Sequence, residues 1–259
     1  MLSDLFALPF LTGLALAILL PVLGCYLRLR NEWLAALAAS HVAAAGALLA
    51  SLLGGVASLG GVLAAALLGA SKPFVLDRLK GGAAYPLLFI AAWSASVLLV
   101  ANHPLAERLG QALFDGQLYF AGGAQLALVG VWTLGALIGL RRLSSRLLLA
   151  HFYPDHFRLR GLPQWPIHLG FDLLAALTVA IATMSLGVMG SFALLFVPAW
   201  LAFQRAADWR CGLRLAGVLG VVAYVLAFAI ALTFDQPFGP VLAALVVGLG
   251  LCLSLIRPR

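Results

Sequence analysis

The run LGFDLLAALTVAIATMSLGVMGSFALLFVPAWLAF, residues 169–203, holds 35 residues and a single charged side chain, that of Asp172. As one helix this run would be about 52 Å long, because an α-helix rises about 1.5 Å per residue. The apolar interior of a bilayer is only about 30 Å thick. Glycines weaken the interior of a helix, so we predict a break near Gly187–Gly190 and one membrane-spanning helix on each side of it.

The rest of the chain has the same apolar character as this run. Of its 259 residues, 64% are apolar and 10% are charged, whereas soluble domains average about 45–50% and about 25%. This composition excludes soluble, secreted and nucleic-acid-binding classes. We predict an all-α membrane protein, a single transmembrane domain over residues 1–259 built as a polytopic bundle of about nine helices. The predicted spans are residues 5–27, 33–53, 56–70, 84–101, 121–140, the two halves of 169–203, 213–233 and 238–256.

The charged residues orient these spans. If the N-terminus is periplasmic and nine spans alternate, 15 of the 16 lysines and arginines fall on the cytoplasmic side, and only Arg108 falls outside. Basic residues accumulate on the cytoplasmic side of membrane proteins. An eight-span arrangement without the break near Gly187 would place three arginines outside, so we reject it. We therefore predict a periplasmic N-terminus and a cytoplasmic C-terminus, with four acidic residues outside: Asp4, Glu107, Asp115 and Asp235.

The longest predicted cytoplasmic segment covers residues 141–168. It is too short for a nucleotide-binding domain, and the chain has no GxxxxGK[ST] phosphate loop, so any energy from ATP must come from another polypeptide. Within it, residues 153–161 read YPDHFRLRG. Pro154 at a first helical position, Asp155 in the first turn and Gly161 as a stop predict a short helix, which is either a docking element or an interfacial linker.

His41 is the clearest candidate for a functional side chain inside the membrane. It lies eight residues into the second span, about 12 Å from the cytoplasmic end. A polar group at that depth marks either a transport pathway or a structural hydrogen bond between helices. A second candidate pair, His168 and Asp172, shares one helix face at i and i+4. For this pair a solvated helix start with a favourable carboxylate is preferred over a metal site.

Four segments resemble the permease subunit of bacterial metal-uptake ABC transporters, the importers of zinc, manganese and iron. Residues 19–46, LLPVLGCYLRLRNEWLAALAASHVAAAG, place His41 on the histidine of that family. Residues 153–161 match its coupling stretch with Pro154, Asp155 and Gly161 in phase. The other two segments are GVMGSFALLFVPAWLA, residues 187–202, and FDQPFGP, residues 234–240; their matching structural positions include Gly187, Pro198, Asp235, Pro237 and Gly239.

The resemblance implies an inner-membrane, multi-pass permease rather than an enzyme. It implies a homodimer in membrane lipid, with the path at its centre, two copies of a cytoplasmic ATP-binding subunit and an extracytoplasmic metal-binding protein. In this scheme Pro154, Asp155, Arg158 and Gly161 couple to the ATPase. His41 lines the path and can meet its mate across the dimer axis.

The resemblance implies no permanent cofactor, and the cargo is a divalent metal. Because imidazole suits zinc better than manganese, we expect zinc. The family places an aspartate four residues before its histidine, and here that position is Leu37. Two alternatives therefore remain: a permease of the same fold for a metal chelate or another small solute, and an ATP-independent secondary transporter.

The charge asymmetry generates a topological prediction. Ser3→Cys and Pro258→Cys, each in a background without native cysteines, are expected to react with an impermeant maleimide from opposite sides of the membrane, because an odd number of crossings separates the two ends. Labelling of right-side-out and inside-out vesicles measures this. Labelling of both cysteines from the same side would contradict nine spans.

Overall fold

The fold is known from a computed structural model that describes residues 2–72 and 83–255. Within these ranges the regular structure is entirely helical, as predicted, and includes no β-strand. The helices are α1 Leu2–Leu29, α2 Trp33–Leu52, α3 Ala57–Ser71, α4 Ala84–Asn102, α5 Pro104–Asp115, a 3₁₀ turn Leu118–Phe120, α6 Gly123–Phe152, α7 Pro154–Leu159, α8 Trp165–Leu186, α9 Val188–Arg205, α10 Trp209–Thr233 and α11 Phe238–Leu255.

Eight of the described helices are long and apolar enough to cross a membrane: α1, α2, α4, α6, α8, α9, α10 and α11. The predicted third span corresponds to α3, which is apolar but has only 15 residues. A helix of that length is about 22 Å long, shorter than the apolar thickness of an average bilayer. The membrane-spanning class of the fold is thus confirmed, while the count of nine crossings stays a prediction.

The predicted break in the long apolar run is confirmed at Gly187. Helix α8 ends at Leu186 and α9 begins at Val188. Between them Gly187 has a φ angle of +79°, in a region that residues with a Cβ rarely adopt. The chain can therefore separate two helices with one residue, and each half is short enough to be a span of its own.

One helix runs well past the end of its predicted span. The fifth span was expected to end at Leu140, but α6 continues to Phe152. Arginine and leucine are good helix formers, and the first proline comes only at Pro154, so the helix continues past the apolar segment. The predicted segment 141–168 is accordingly mostly helical: α6 ends in it, α7 follows, and Gly161 with φ +64° precedes α8. The amphipathic helix α5 was missed altogether, because it lies between two spans and is too polar for a search based on hydropathy.

Helix α5 is held against the bundle through three glycines, Gly116, Gly187 and Gly239, which we call the glycine seam. A Cβ atom on Gly187 would lie 2.5 Å from the carbonyl oxygen of Phe114, and one on Gly239 would lie 2.5 Å from the carbonyl oxygen of Asp115. A Cβ on Gly116 would lie 2.7 Å from the carbonyl carbon of Leu186. Backbone thus packs directly on backbone where the end of α5 meets the α8–α9 junction and the start of α11.

The glycine seam generates a stability prediction. Gly187→Ala combines a left-handed φ angle with a clash against backbone, so it is expected to lower the melting temperature in detergent strongly. Gly54→Ala has a similar φ of +77° but nothing within 4 Å of the new methyl group, so it should cost only about 1–2 kcal/mol. Gly130→Ala, inside α6 with open space around it, should be neutral or stabilising. Equal melting temperatures for Gly187→Ala and Gly54→Ala would contradict tight packing at the seam.

Candidate functional site

His41 lies near the middle of α2 and is completely buried. Its ring contacts two phenylalanines edge-on or at a tilt: Phe89 of α4, with ring centroids 4.8 Å apart, and Phe114 of α5, at 6.1 Å. Among the described residues neither ring nitrogen of His41 has a hydrogen-bond partner. A buried polar group without a partner is destabilising. The expected alternative, a structural histidine bonded to a neighbouring helix, therefore finds no support in this conformation.

Among the described residues, His41 belongs to no cluster of three or more metal-ligating side chains. Within the described ranges, no three histidine, cysteine, aspartate or glutamate side chains lie close enough together to hold a metal ion. Leu37, one turn earlier on the same helix, is partly buried and offers no donor atom. The contact of His41 with its mate across a dimer axis stays a prediction.

Two openings lie beside α2, one along each half of the helix. An inner cleft runs beside the first half of α2, from Glu32 to Ala39, and is walled by α8 residues such as Val179. An open apolar groove lies beside the second half, from Val42 to Leu49, and ends at Asn102 and His103 after α4. Positions 35, 39, 42, 46 and 49 share one stripe of the helix, because an α-helix repeats about every 3.6 residues. His41 lies between these two stretches of α2 along the chain but outside that stripe, and neither opening is lined by His41, Phe89 or Phe114.

A cluster of four charges, which we call the ion cluster, closes the end of the inner cleft. The Arg30 guanidinium donates to Asp172 at 2.7 Å and to Glu32 at 3.1 Å. The Lys72 ammonium donates to both carboxylate oxygens of Glu32 at 2.8 Å and to Asp172 at 3.0 Å. The guanidinium of Arg30 also lies over the Phe171 ring, 5.0 Å from its centroid. Two positive and two negative groups are thereby paired with one another.

The ion cluster corrects the expectation for His168 and Asp172. The side chain of Asp172 is only 9% exposed and is engaged by Arg30 and Lys72, so it is neither a solvated helix start nor half of a metal site with His168. The Nδ1 atom of His168 is buried with no hydrogen-bond partner in the described part of the chain. The sequence shows opposite charges near the ends of four predicted helices, but it does not show that these ends meet.

The expected coupling residues lie on and after α7, a helix of six residues that follows α6 after one non-helical residue. Asp155 lies in its first turn and is exposed. The side chains of Pro154 and Arg158 fall outside the part of the chain that the structure describes. Five large apolar side chains around α7 are exposed: Phe152, Tyr153, Leu159, Leu162 and Trp165.

The remaining motif residues have structural settings. Pro198 is buried inside α9. Asp235 adopts a φ of +49° in the turn between α10 and α11, and Pro237 directly precedes α11. Gly239 belongs to the glycine seam, as does Gly187. Their spacing therefore fits a turn and a close backbone contact.

The whole chain matches one family description, the ABC 3 transport family, over residues 4–257. The chain belongs to this family. The chelated iron transport system membrane protein YfeD of Yersinia pestis is 26% identical over 271 residues, covering 100% of this chain and 90% of that protein. The manganese transport system membrane protein MntC of Halalkalibacterium halodurans is 24% identical over 234 residues, covering 88% and 78%.

A solved structure supports the fold of this ABC 3 permease. PsaBC from Streptococcus pneumoniae in complex with Fab gives a TM-score of 0.83 at 20% identity, covering 100% of this chain and 97% of that chain. The resemblance inferred from the four sequence segments is confirmed. The chain is a multi-pass membrane subunit of a metal-type ABC transporter in the inner membrane, and a separate subunit hydrolyses ATP.

The environment of His41 generates a prediction. His41→Leu replaces a partnerless imidazole in a phenylalanine-lined pocket with an apolar side chain, so it is expected to raise stability in detergent by about 1–3 kcal/mol, the cost of an unpaired buried polar group. The control is Ser40→Ala, whose hydroxyl is satisfied by the Ala36 carbonyl. Thermal unfolding of the purified variants measures both. A lower melting temperature for His41→Leu would show that the imidazole stabilises the protein.

Proposed function

We propose that this ABC 3 permease carries a divalent metal ion into the cell past His41, and that the ion is zinc. The observation that carries the proposal is the position of His41. Its two partnerless ring nitrogens are buried at the middle of α2, between the stretch of that helix beside the inner cleft and the stretch beside the apolar groove. A buried polar group at that depth, with no partner to stabilise it, supports a role in the transport pathway. Membership in an ABC family favours ATP-driven transport over an ATP-independent mechanism.

The proposed orientation places the N-terminus in the periplasm and the C-terminus in the cytoplasm, with α3 as a short ninth span. The distribution of basic residues supports this orientation. In it, the ends of α1 and α3 and the starts of α2 and α8 face the cytoplasm, so the ion cluster and the inner cleft open inward. The glycine seam and α5 then lie on the periplasmic side, with Phe114 between that side and His41.

The choice of zinc rests on ligand chemistry. Neutral imidazole binds borderline ions such as zinc, whereas manganese prefers oxygen ligands. With leucine at position 37, each subunit offers one strong ligand, which favours brief retention of the ion. A second candidate cargo is a metal chelate, because the site lacks a carboxylate and YfeD is named for chelated iron transport. A chelate brings its own ligands and needs fewer from the protein.

The proposed assembly is a homodimer with two copies of a cytoplasmic ATP-binding subunit and an extracytoplasmic metal-binding protein. The exposed apolar side chains around α7, including Phe152 and Leu159, support docking of the ATPase there. Asp155 favours the start of α7 through the helix dipole, by about 0.3–1 kcal/mol. Arg158 and Arg160 would face the ATPase or anionic lipid head groups, and Gly161 ends the docking element.

Transport of radioactive zinc tests the proposal. His41→Ala is expected to abolish zinc-65 uptake into membrane vesicles that contain the whole transporter, because it removes the ligand without disturbing a helix rich in small residues. Leu37→Asp should restore a second ligand on the same helix face and lengthen metal retention. The matched control is Ser40→Ala, on the adjacent position of α2, which should transport zinc at the parental rate.

The same vesicles separate the two candidate cargoes. Zinc uptake at the parental rate in His41→Ala would show that the histidine is structural. Uptake of chelated iron by that variant, together with no zinc uptake by the parent, would favour the chelate.

A further inference from the structure

We propose that the ion cluster is the cytoplasmic gate of the transport path, with Lys72 as the residue that bars it. The inference rests on the proposed function for its orientation and for the position of the path. It assigns a role to Arg30, Glu32, Lys72 and Asp172 together, of which only Asp172 was a candidate from the sequence.

Lys72 is placed to act as a bar. It stands at the end of α3, and its ammonium bridges Glu32, at the start of α2, to Asp172 on α8. Its side chain is only 8% exposed. One flexible side chain therefore links the end of α3, the start of α2 and the second turn of α8. These contacts lie at the mouth of the inner cleft, which Glu32, Lys72 and Asp172 all line.

Behind the bar, the α2 and α8 walls of the cleft carry mostly small side chains, while Leu27, Leu68 and Tyr85 complete the lining. The α2 wall consists of Ala35, Ala36 and Ala39, and α8 contributes Ala175 and Ala176 beside Val179. Methyl groups on facing helices leave space that a larger apolar residue would fill. In the proposed orientation, the charged side chains of Glu32, Lys72 and Asp172 lie at the cytoplasmic end of this space.

The pairing pattern allows the gate to open without leaving a buried charge alone. Arg30 contacts both Asp172 and Glu32, so both carboxylates keep a cationic partner when Lys72 withdraws. Removal of one partner from a buried pair is normally very unfavourable, and the second cation reduces that penalty. The mouth then carries one net negative charge, which attracts a departing cation toward the cytoplasm.

The cluster is also connected to the proposed ATPase contact. Asp172 lies two turns into α8, and only residues 160–164 separate α8 from α7. A displacement of α7 by the ATPase would therefore pull on the helix that carries Asp172.

Access to the cleft tests the gate. The test uses Ala39→Cys in a chain from which the native cysteines have been removed, so that labelling of this one thiol measures access to the space behind Lys72. The measurement is made without ATP in inside-out vesicles that contain the whole transporter. Lys72→Met is expected to raise the rate at which an impermeant maleimide labels Cys at position 39 about tenfold, since a tenfold change in population needs only about 1.4 kcal/mol. Lys72→Arg, which keeps the charge, should label at the parental rate.

Two controls keep the result interpretable. A variant that retains only the native, exposed Cys211 should label equally with and without Lys72→Met, which shows that the reagent and the fold are unchanged. If Lys72→Met does not reach the membrane, Asp172→Asn removes the other end of the bridge and should open the cleft in the same way.

Protection of position 39 in both Lys72→Met and Asp172→Asn would overturn the gate. The measurement needs no metal and no uptake. A failure of zinc transport with an intact labelling response would therefore contradict the proposed function alone.

Discussion

The hydrocarbon interior of a bilayer offers no hydrogen bonds, and this constraint determines which polar groups the chain can place where. Backbone groups are satisfied within helices, which is why the described regular structure is wholly helical. Charges can enter only if they neutralise one another, as Arg30, Glu32, Lys72 and Asp172 do at one end of the bundle. Against this background His41 is an exception. Its imidazole is neither at an interface nor paired, and stability alone gives no reason to keep it.

The same constraint explains the abundance of small residues. Because lipid tails are as apolar as leucine, helices in a membrane associate through close packing rather than through the hydrophobic effect. In α2 and α3 the glycines at positions 46 and 60 let the two backbones approach each other directly. Alanines do the same along the α2 face toward α8. The small side chains that let helices pack closely also leave space in the cleft between them. Small residues therefore serve both helix packing and the proposed transport path.

The sequence predicted those features that depend on a local stretch of chain, and missed those that depend on distant residues. The break at Gly187 and the depth of His41 followed from helix length and glycine chemistry. The end of α6 was misplaced because hydropathy falls at Arg141 while helix propensity does not. Helix α5 is amphipathic and lies outside the apolar runs. The ion cluster joins residues 30 and 172, and no local pattern shows that two such positions meet.

The two ends of the proposed path differ in the kind of contact that closes them. On the side of α5 the path is closed by close packing: backbone contacts backbone at the glycine seam, and Phe114 covers His41. Such contacts are short-ranged and insensitive to charge. At the other end the contact is electrostatic, and charge acts over a longer distance inside a low-dielectric protein. A cation at His41 would repel the Lys72 ammonium without direct contact, because like charges repel at a distance. Only the electrostatic end can therefore respond to the presence of a cation in the path, whereas the end closed by shape must be opened by a force from outside.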